Sequence, residues 1–241
     1  MTKTFNTLIP GIEQRESGWI QIRERLARDA REAIHPTITI SREFGCEGHA
    51  LAQRLRALLD EASTEPWHVF DKALVEKVGQ DEKLSRHILS RLGDESHDGD
   101  VLKTQFGFLT HDDVYASVVK HLVGIARAGC AIIVGRGGAL ACQGLPNCFH
   151  FRLVGSLAFR AATLAQRRGL PLAEAEELVR VQSRVREKFV SDHLHADITL
   201  PHWYDAVFSN ERQDVDSIAR ACLLLVLARW PEKTFFRHWK G

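Results

Sequence analysis

Ser41-Arg42-Glu43-Phe44-Gly45-Cys46-Glu47-Gly48-His49-Ala50 is the stretch of this chain whose residue types and spacing come nearest to a defined chemistry. Two glycines in a turn between an apolar run and an amphipathic one let backbone N–H groups close around phosphate oxygens, helped by the N-terminus of the following helix. A complete phosphate loop, G-x-x-x-x-G-K-[ST], carries a lysine after its last glycine and then a magnesium-binding hydroxyl. Here His49 and Ala50 stand in those two places. Arg42 is the nearest cation in sequence that could replace the lysine. Two glycines in such a turn also serve purely structural ends, and this segment by itself leaves both readings open.

A second candidate is Gly135-Arg136-Gly137-Gly138, directly after the apolar run Cys130 to Val134, and a third is Asp71-Lys72, directly after Trp67-His68-Val69-Phe70. Asp71 suits a water-mediated contact to magnesium or a ligand hydroxyl; it suits an N-cap of the following helix equally well. Farther on, Arg180 and Arg184 lie one helical turn apart with Arg186 beside them. They could neutralise the oxygens of a transferring phosphoryl group. With Glu174, Glu176, Glu177 and Glu187 around them they also read as a solvated face with i,i+4 ion pairs. Asp192, His193, His195, Asp197 and His202 form a local cluster, but it has no nearby Cys and no distinctive ligand spacing, so a metal site is not expected there. A Ser-His-Asp hydrolase is not expected either, because the G-x-S-x-G elbow is missing.

These residues need a scaffold. Thr37-Ile38-Thr39-Ile40 reads as a first strand, followed by the glycine turn and a helix with Ala52, Leu55, Leu58 and Leu59 on its inner face. Residues 67–70, 130–134, 149–154 and 206–208 supply four more strand candidates. Helices are expected at 18–34, at 114–125 with Val114, Val118, Leu122 and Ile125 inward, from 157 to about 193 with a break at Gly169-Leu170-Pro171, and from 215 to 228. Residues 79–111 are polar and read as short helices and loops. Strands alternating with helices make an α/β fold with a parallel sheet. Ligands of such sheets bind outside the carboxyl ends of the strands. That edge gathers Ser41, Arg42, Gly45, Gly48, Asp71, Lys72, Gly135, Arg136 and Ser156, a set suited to a phosphorylated ligand.

Composition bounds the partners. The 241 residues are 44% hydrophobic and 26% charged, as in a globular protein with a substantial core. Lys+Arg is 32 against 31 for Asp+Glu, so bulk charge gives no reason to expect nucleic acid or an anionic membrane. The cations are skewed, with 23 Arg and 9 Lys, and no Lys falls between Lys120 and Lys188. Arginine grips phosphate in a fixed two-pronged geometry. No apolar run reaches the length of a membrane helix, the first residues lack the pattern of a secretory signal, and the five Cys show no C-x-x-C spacing. A cytoplasmic protein with reduced thiols is expected.

The order of these segments resembles the bacterial cytidylate kinase-like family, relatives of the nucleoside monophosphate kinases in the P-loop NTPase superfamily. Ile38-Thr39-Ile40-Ser41-Arg42-Glu43-Phe44-Gly45 matches that family's I-T-I-S-R-E-F-G opening. Phe70-Asp71-Lys72, Ile132-Ile133-Val134-Gly135-Arg136 and Tyr204-Asp205-Ala206-Val207 match its later segments in order, so the resemblance spans about residues 36–226. It implies a five-stranded parallel sheet, a helical acceptor-binding insertion at 72–128 and a mobile lid at 168–203. A helical extension at 1–35 and an aromatic tail at 227–241 lie outside the core. It further implies ATP and Mg²⁺ as cofactors. Ser41, Gly45, Cys46, Glu47, Gly48, His49 and Ala50 would lie around the ATP phosphates. Gly135 and Arg136, with Asp71, Lys72 and Arg160, would bind the acceptor, a nucleoside monophosphate or other small phosphorylated molecule. Arg42, Arg180, Arg184 and Arg186 would stabilise charge as the lid closes. Gly137 stands where family members carry an Asp directed at cytosine, so base selectivity does not follow. Two alternatives share the fold: a nucleotide-binding regulatory or interaction protein without turnover, and a kinase for a non-nucleotide small molecule. Oligomeric state is left open.

Overall fold

A computed structural model describes residues 35–71, 113–135, 137–230 and 236. The expected N-terminal helix at 18–34, the polar stretch at 79–111, Lys72 and Arg136 lie outside the described residues.

Among the described residues, five strands form one parallel sheet: β1 (Thr37–Arg42), β2 (His68–Phe70), β3 (Ala131–Val134), β4 (Cys148–Val154) and β5 (Ala206–Ser209). Their order across the sheet is β2-β3-β1-β4-β5. From β1 at the centre the chain fills one side, then crosses to fill the other. Among the described residues, six helices flank the sheet: α1 (Gly48–Ala62), α2 (Asp113–Ala128), α3 (Gly138–Ala141), α4 (Leu157–Arg168), α5 (Leu172–Leu194) and α6 (Val215–Arg229). The expected α/β fold with a five-stranded parallel sheet is the observed one. The short helix α3 has no signal in the sequence, because four residues are too few to show a helical period.

The two faces of the sheet differ in chemistry. On one face Ile38, Ile40, Val69, Ile132, Val134, Phe149, Phe151 and Leu153 pack under α1 and α6, with Leu51, Leu55, Leu59, Ile218 and Cys222 closing the layer. On the other face β1 and β4 present a polar lane. The Thr37 hydroxyl donates to the Ala126 carbonyl at 2.7 Å, and Thr39 Oγ1 lies 2.8 Å from His150 Nδ1. Ser41 and Arg152 continue that lane in register at the carboxyl end. Around it α2 and the C-terminal end of α5 bury Val119, Leu122, Val190 and Leu194 with Phe70 and Ile133. Alternation along β1 therefore places apolar side chains against one layer and polar ones along the path to the sheet's edge.

The helix boundaries follow local signals. Ser156 caps α4 by accepting from the Phe159 N–H at 3.2 Å, and Asp214 caps α6 by accepting from the Ser217 N–H at 2.7 Å. Gly169 ends α4 in the left-handed region (φ 66), and Pro171 stands just before α5. The break expected in the long helical stretch lies there. Part of the aromatic tail folds back: Trp230 is buried, and Phe236 bridges to Ser63 and packs on the α1–α6 layer.

His150 makes the polar lane sensitive to acid. Burial pushes its pKa down to about 4, against an ordinary value of 6.5. A histidine held neutral contributes stability that is fully present above pH 6.5 and is lost as pH falls toward 4. The linkage relation gives a loss of about 2 kcal/mol on going from pH 7.5 to pH 5. Urea unfolding across that range checks it. His150→Gln is expected to flatten the slope by that amount, whereas an unchanged slope places the acid sensitivity elsewhere.

Candidate functional site

The strand order turns at β1, and β3 and β4 leave it in opposite directions. At such a switch point the carboxyl ends of neighbouring strands open a crevice. A cavity of about 490 Å³ lies there. Its floor is Ser41 with Arg152, its sides come from Arg42, Glu43, Phe44, Val134 and Gly135, and α5 covers it with Gln182, Arg186 and Phe189 among others. The helix expected to act as a lid thus lies directly over the carboxyl edge of the central strands.

The glycine turn is built around two arginines. A Cβ on Gly45 (φ 102) would lie 2.7 Å from Arg160 Cβ and 2.8 Å from the Arg160 carbonyl oxygen, so α4 packs on the turn where only glycine fits. The stem of Arg42 crosses the space beside Gly48, and its Nη1 lies where a Cβ of Gly135 would project. Some loop N–H groups are already committed: that of Cys46 to the Glu43 carbonyl at 3.2 Å, and that of Glu47 to Asn210 Oδ1 at 2.8 Å. The Arg42 guanidinium itself lies at Gly135, after β3, while its aliphatic stem packs beside Gly48. Cys46 is buried at the base of this turn. Burial first, and then the Glu43 charge, push its thiol up to about 12, so it is protonated at neutral pH and inert as a nucleophile.

Arg160 ties three elements together. Its Nε donates to the Gly155 carbonyl at 2.9 Å and lies 3.4 Å from Glu43 Oε2, and its Nη1 donates to the Phe44 carbonyl and to Ser183 Oγ. Glu43 also accepts from the Gly155 N–H at 3.0 Å. The turn, α4 and α5 meet at this one guanidinium, which lies beside the cavity and outside its lining.

The α5 arginines separate by position. Arg186 lines the cavity and stacks over the Phe44 ring at 4.8 Å. Arg180 pairs with Glu176 at 2.6 Å on an exposed face, and Arg184 is exposed; neither lines the cavity. His49 and Ala50 stand in the first turn of α1, and Asp71 stands at the end of β2, all outside the lining. The histidine and aspartate cluster is absorbed locally. Lys188 pairs with Asp192, the Thr199 hydroxyl and N–H donate to Asp197, His193 packs on Phe189, and His202 packs on Trp203.

Arg152 is the site residue that sequence reasoning missed. It is 5% exposed and lies in the floor of the cavity. The signal was present in Phe149-His150-Phe151-Arg152-Leu153-Val154, where an arginine interrupts an otherwise apolar strand. A buried strand has no structural use for a long cation, so such an interruption marks either an ion pair or a ligand.

Ser41, Glu43 and Glu187 line the cavity and carry oxygen donors of the hard type magnesium takes, although Glu43 Oε2 is engaged by the Gly155 N–H and Arg160. Among the described residues no group of three His, Cys, Asp or Glu could hold a metal ion by itself. Among the described residues, no helix is long and apolar enough to cross a membrane.

A crystal structure of an uncharacterised protein from Eubacterium ventriosum resembles this fold with a TM-score of 0.64, covering 80% of this chain and 99% of its own at 19% identity. A Thermus thermophilus protein of known structure aligns with a TM-score of 0.42 at 17% identity, over 81% of this chain and 98% of its own. No curated protein matches the chain. The model of the cytidylate kinase-like family matches residues 37–212, beginning on the first residue of β1 and ending just beyond β5. Since that stretch holds the whole sheet and every described wall of the cavity, the chain belongs to the cytidylate kinase-like family.

Proposed function

We propose that the protein is an ATP-dependent phosphotransferase of the nucleoside monophosphate (cytidylate) kinase type, with transfer in the cavity beneath α5. Family membership supports the coarser reading of a nucleotide kinase-like function. The observation that carries the finer one is that Arg42, Arg152 and Arg186, supplied by β1, β4 and α5, line a single cavity at the sheet's switch point.

Phosphoryl transfer asks little covalent work of a protein. It asks for positive groups fixed around the oxygens of the transferring group and for exclusion of water. Arg42 supplies charge where a phosphate-loop lysine would reach, held against Gly48 and Gly135. Arg186 brings charge from α5, and its stacking on Phe44 couples that charge to the turn. Arg160 fastens α5 to the turn through Ser183, so the covering helix and the phosphate end of the site move as connected parts. Bound magnesium would supply charge neutralisation for the phosphates of ATP, with Ser41 and Glu187 in the lining as the oxygen donors available to it. In this reading Arg136, after β3, holds the acceptor phosphate.

A second reading has its own support. The committed N–H groups of Cys46 and Glu47, and the burial of Gly45 under Arg160, suit a nucleotide-binding protein that retains the fold without turnover. A kinase for a non-nucleotide small molecule would use the same arginines. The test is a panel of nucleoside monophosphates and small phosphorylated acceptors, each incubated with ATP or GTP and Mg²⁺, with nucleoside diphosphate release as readout. Transfer to a monophosphate is the expected result. Calorimetric nucleotide binding with no transfer to any acceptor favours the second reading.

A further inference from the structure

The deepest charge in the cavity comes from the sheet itself, and neither the turn nor the covering helix supplies it. Arg152 sits within β4, beside Ser41 of β1 in the parallel register, and both side chains are buried at the cavity floor. Its Nη1 donates to the Tyr204 hydroxyl at 3.2 Å, and its guanidinium carbon lies 5.4 Å from the centre of the same ring. The Tyr204 hydroxyl in turn donates to the Ile198 carbonyl at 2.8 Å, and Ile198 also lines the cavity. Both of these partners are neutral.

Arg152 forms no ion pair among the described residues. The exposed carboxyl of Asp197 is held below its usual range first by the Thr199 hydroxyl and N–H, and Arg152 contributes last and at longer range. A guanidinium has five N–H donors, and among the described residues the hydrogen bond to Tyr204 uses one of them. A cation kept from water without a counter-charge is costly, and proteins keep one where a ligand completes it. The hydroxyl of Ser41 stands next to it, and the cavity above is large enough for the phosphate end of a nucleotide.

We infer that Arg152 and Ser41 form a binding site for a phosphate group, the tetrahedral oxyanion of a phosphate monoester, with Tyr204 as the residue that positions the guanidinium. The inference deepens the phosphotransfer reading and rests on it for the identity of the ligand. The site differs from the glycine turn: its cation comes from the middle of the sheet, and its orientation is set by residues 198–204, the segment that follows α5. Filling the site would therefore be felt by that segment through Tyr204.

The test uses the full chain and inorganic phosphate, titrated at constant ionic strength against chloride, with the thermal unfolding midpoint as readout. The wild-type midpoint is expected to rise saturably with phosphate. Arg152→Met keeps the stem and removes the charge; it is expected to fold and to need at least about tenfold more phosphate for the same rise. Arg152→Lys, a point charge without the fork, is expected to weaken the response about 3- to 10-fold. Tyr204→Phe is expected to weaken it a few-fold while leaving the unliganded midpoint less affected than the response. Should Arg152→Met fail to fold, the Lys and Phe variants carry the test. A wild type with no phosphate response, or variants with the wild-type response, overturns the inference. Loss of the phosphate response in a protein that transfers phosphate to no acceptor would keep the site and refute the kinase reading. Transfer by wild type combined with an unaltered phosphate response in Arg152→Met would do the reverse.

Discussion

Replacing Arg42 by Met is expected to lower the turnover number for phosphoryl transfer by about 10²–10³-fold, the usual cost of removing one preorganised donor from a developing charge. The side chain leaves β1, crosses Gly48 and places its guanidinium over Gly135, at the rim of the cavity. Met retains the stem that packs on Gly48, so the fold is expected to persist. Because the charge matters most as the phosphoryl group moves, the loss should fall on kcat more than on KM. Steady-state kinetics over a range of ATP concentrations separates the two. A loss confined to KM would make Arg42 a ground-state binding residue only. Arg180→Ala is a natural comparison, since Arg180 pairs with Glu176 on an exposed face and should change turnover little.

Gly45→Ala is expected to be the most destabilising single change in the turn. At φ 102 an L-residue is strained, and the added Cβ would meet the Cβ and carbonyl oxygen of Arg160 within 2.8 Å. Backbone strain and overpacking together amount to about 3–4 kcal/mol. For a chain of this length that corresponds to a fall of roughly 6–15 °C in the melting midpoint. Calorimetric melting checks it. The variant should also loosen the joint through which Arg160 holds Glu43, Phe44 and Ser183, so that transfer falls by more than the unfolded fraction explains. A melting midpoint equal to that of the wild type would mean that α4 can move away from the turn at no cost.

How far these features were legible in the sequence depends on the length scale that encodes them. The sheet was readable because each strand is a short run rich in β-forming residues, continuous and apolar in β3 and alternating with threonine in β1, bounded by turn signals, and the break before α5 was readable from Gly169 and Pro171. The short helix α3 was not, because its four residues carry no period. At the site, Gly45 and Gly48 were legible as a turn between strand and helix. What they serve was not legible: Gly45 is packed by Arg160, 115 positions away, and no local pattern shows such a contact. The α5 arginines share one local pattern, yet only Arg186 lines the cavity, because the two-residue step from Arg184 to Arg186 turns the side chain about 200° around the helix axis. Arg152 was legible as an oddity, a cation within an apolar strand. Only the register with Ser41 and the neutrality of Tyr204 give it a chemical meaning.

The central claim is that a set of arginines without the usual lysine performs phosphoryl transfer in the cavity under α5. The most direct measurement is nucleoside diphosphate formation by the purified full chain with ATP, Mg²⁺ and each nucleoside monophosphate, run beside Arg42→Met. The predicted result is ATP-dependent diphosphate formation with at least one monophosphate, reduced about 10²-fold or more in the variant. No transfer with any acceptor, or transfer that Arg42→Met leaves intact, would contradict the claim.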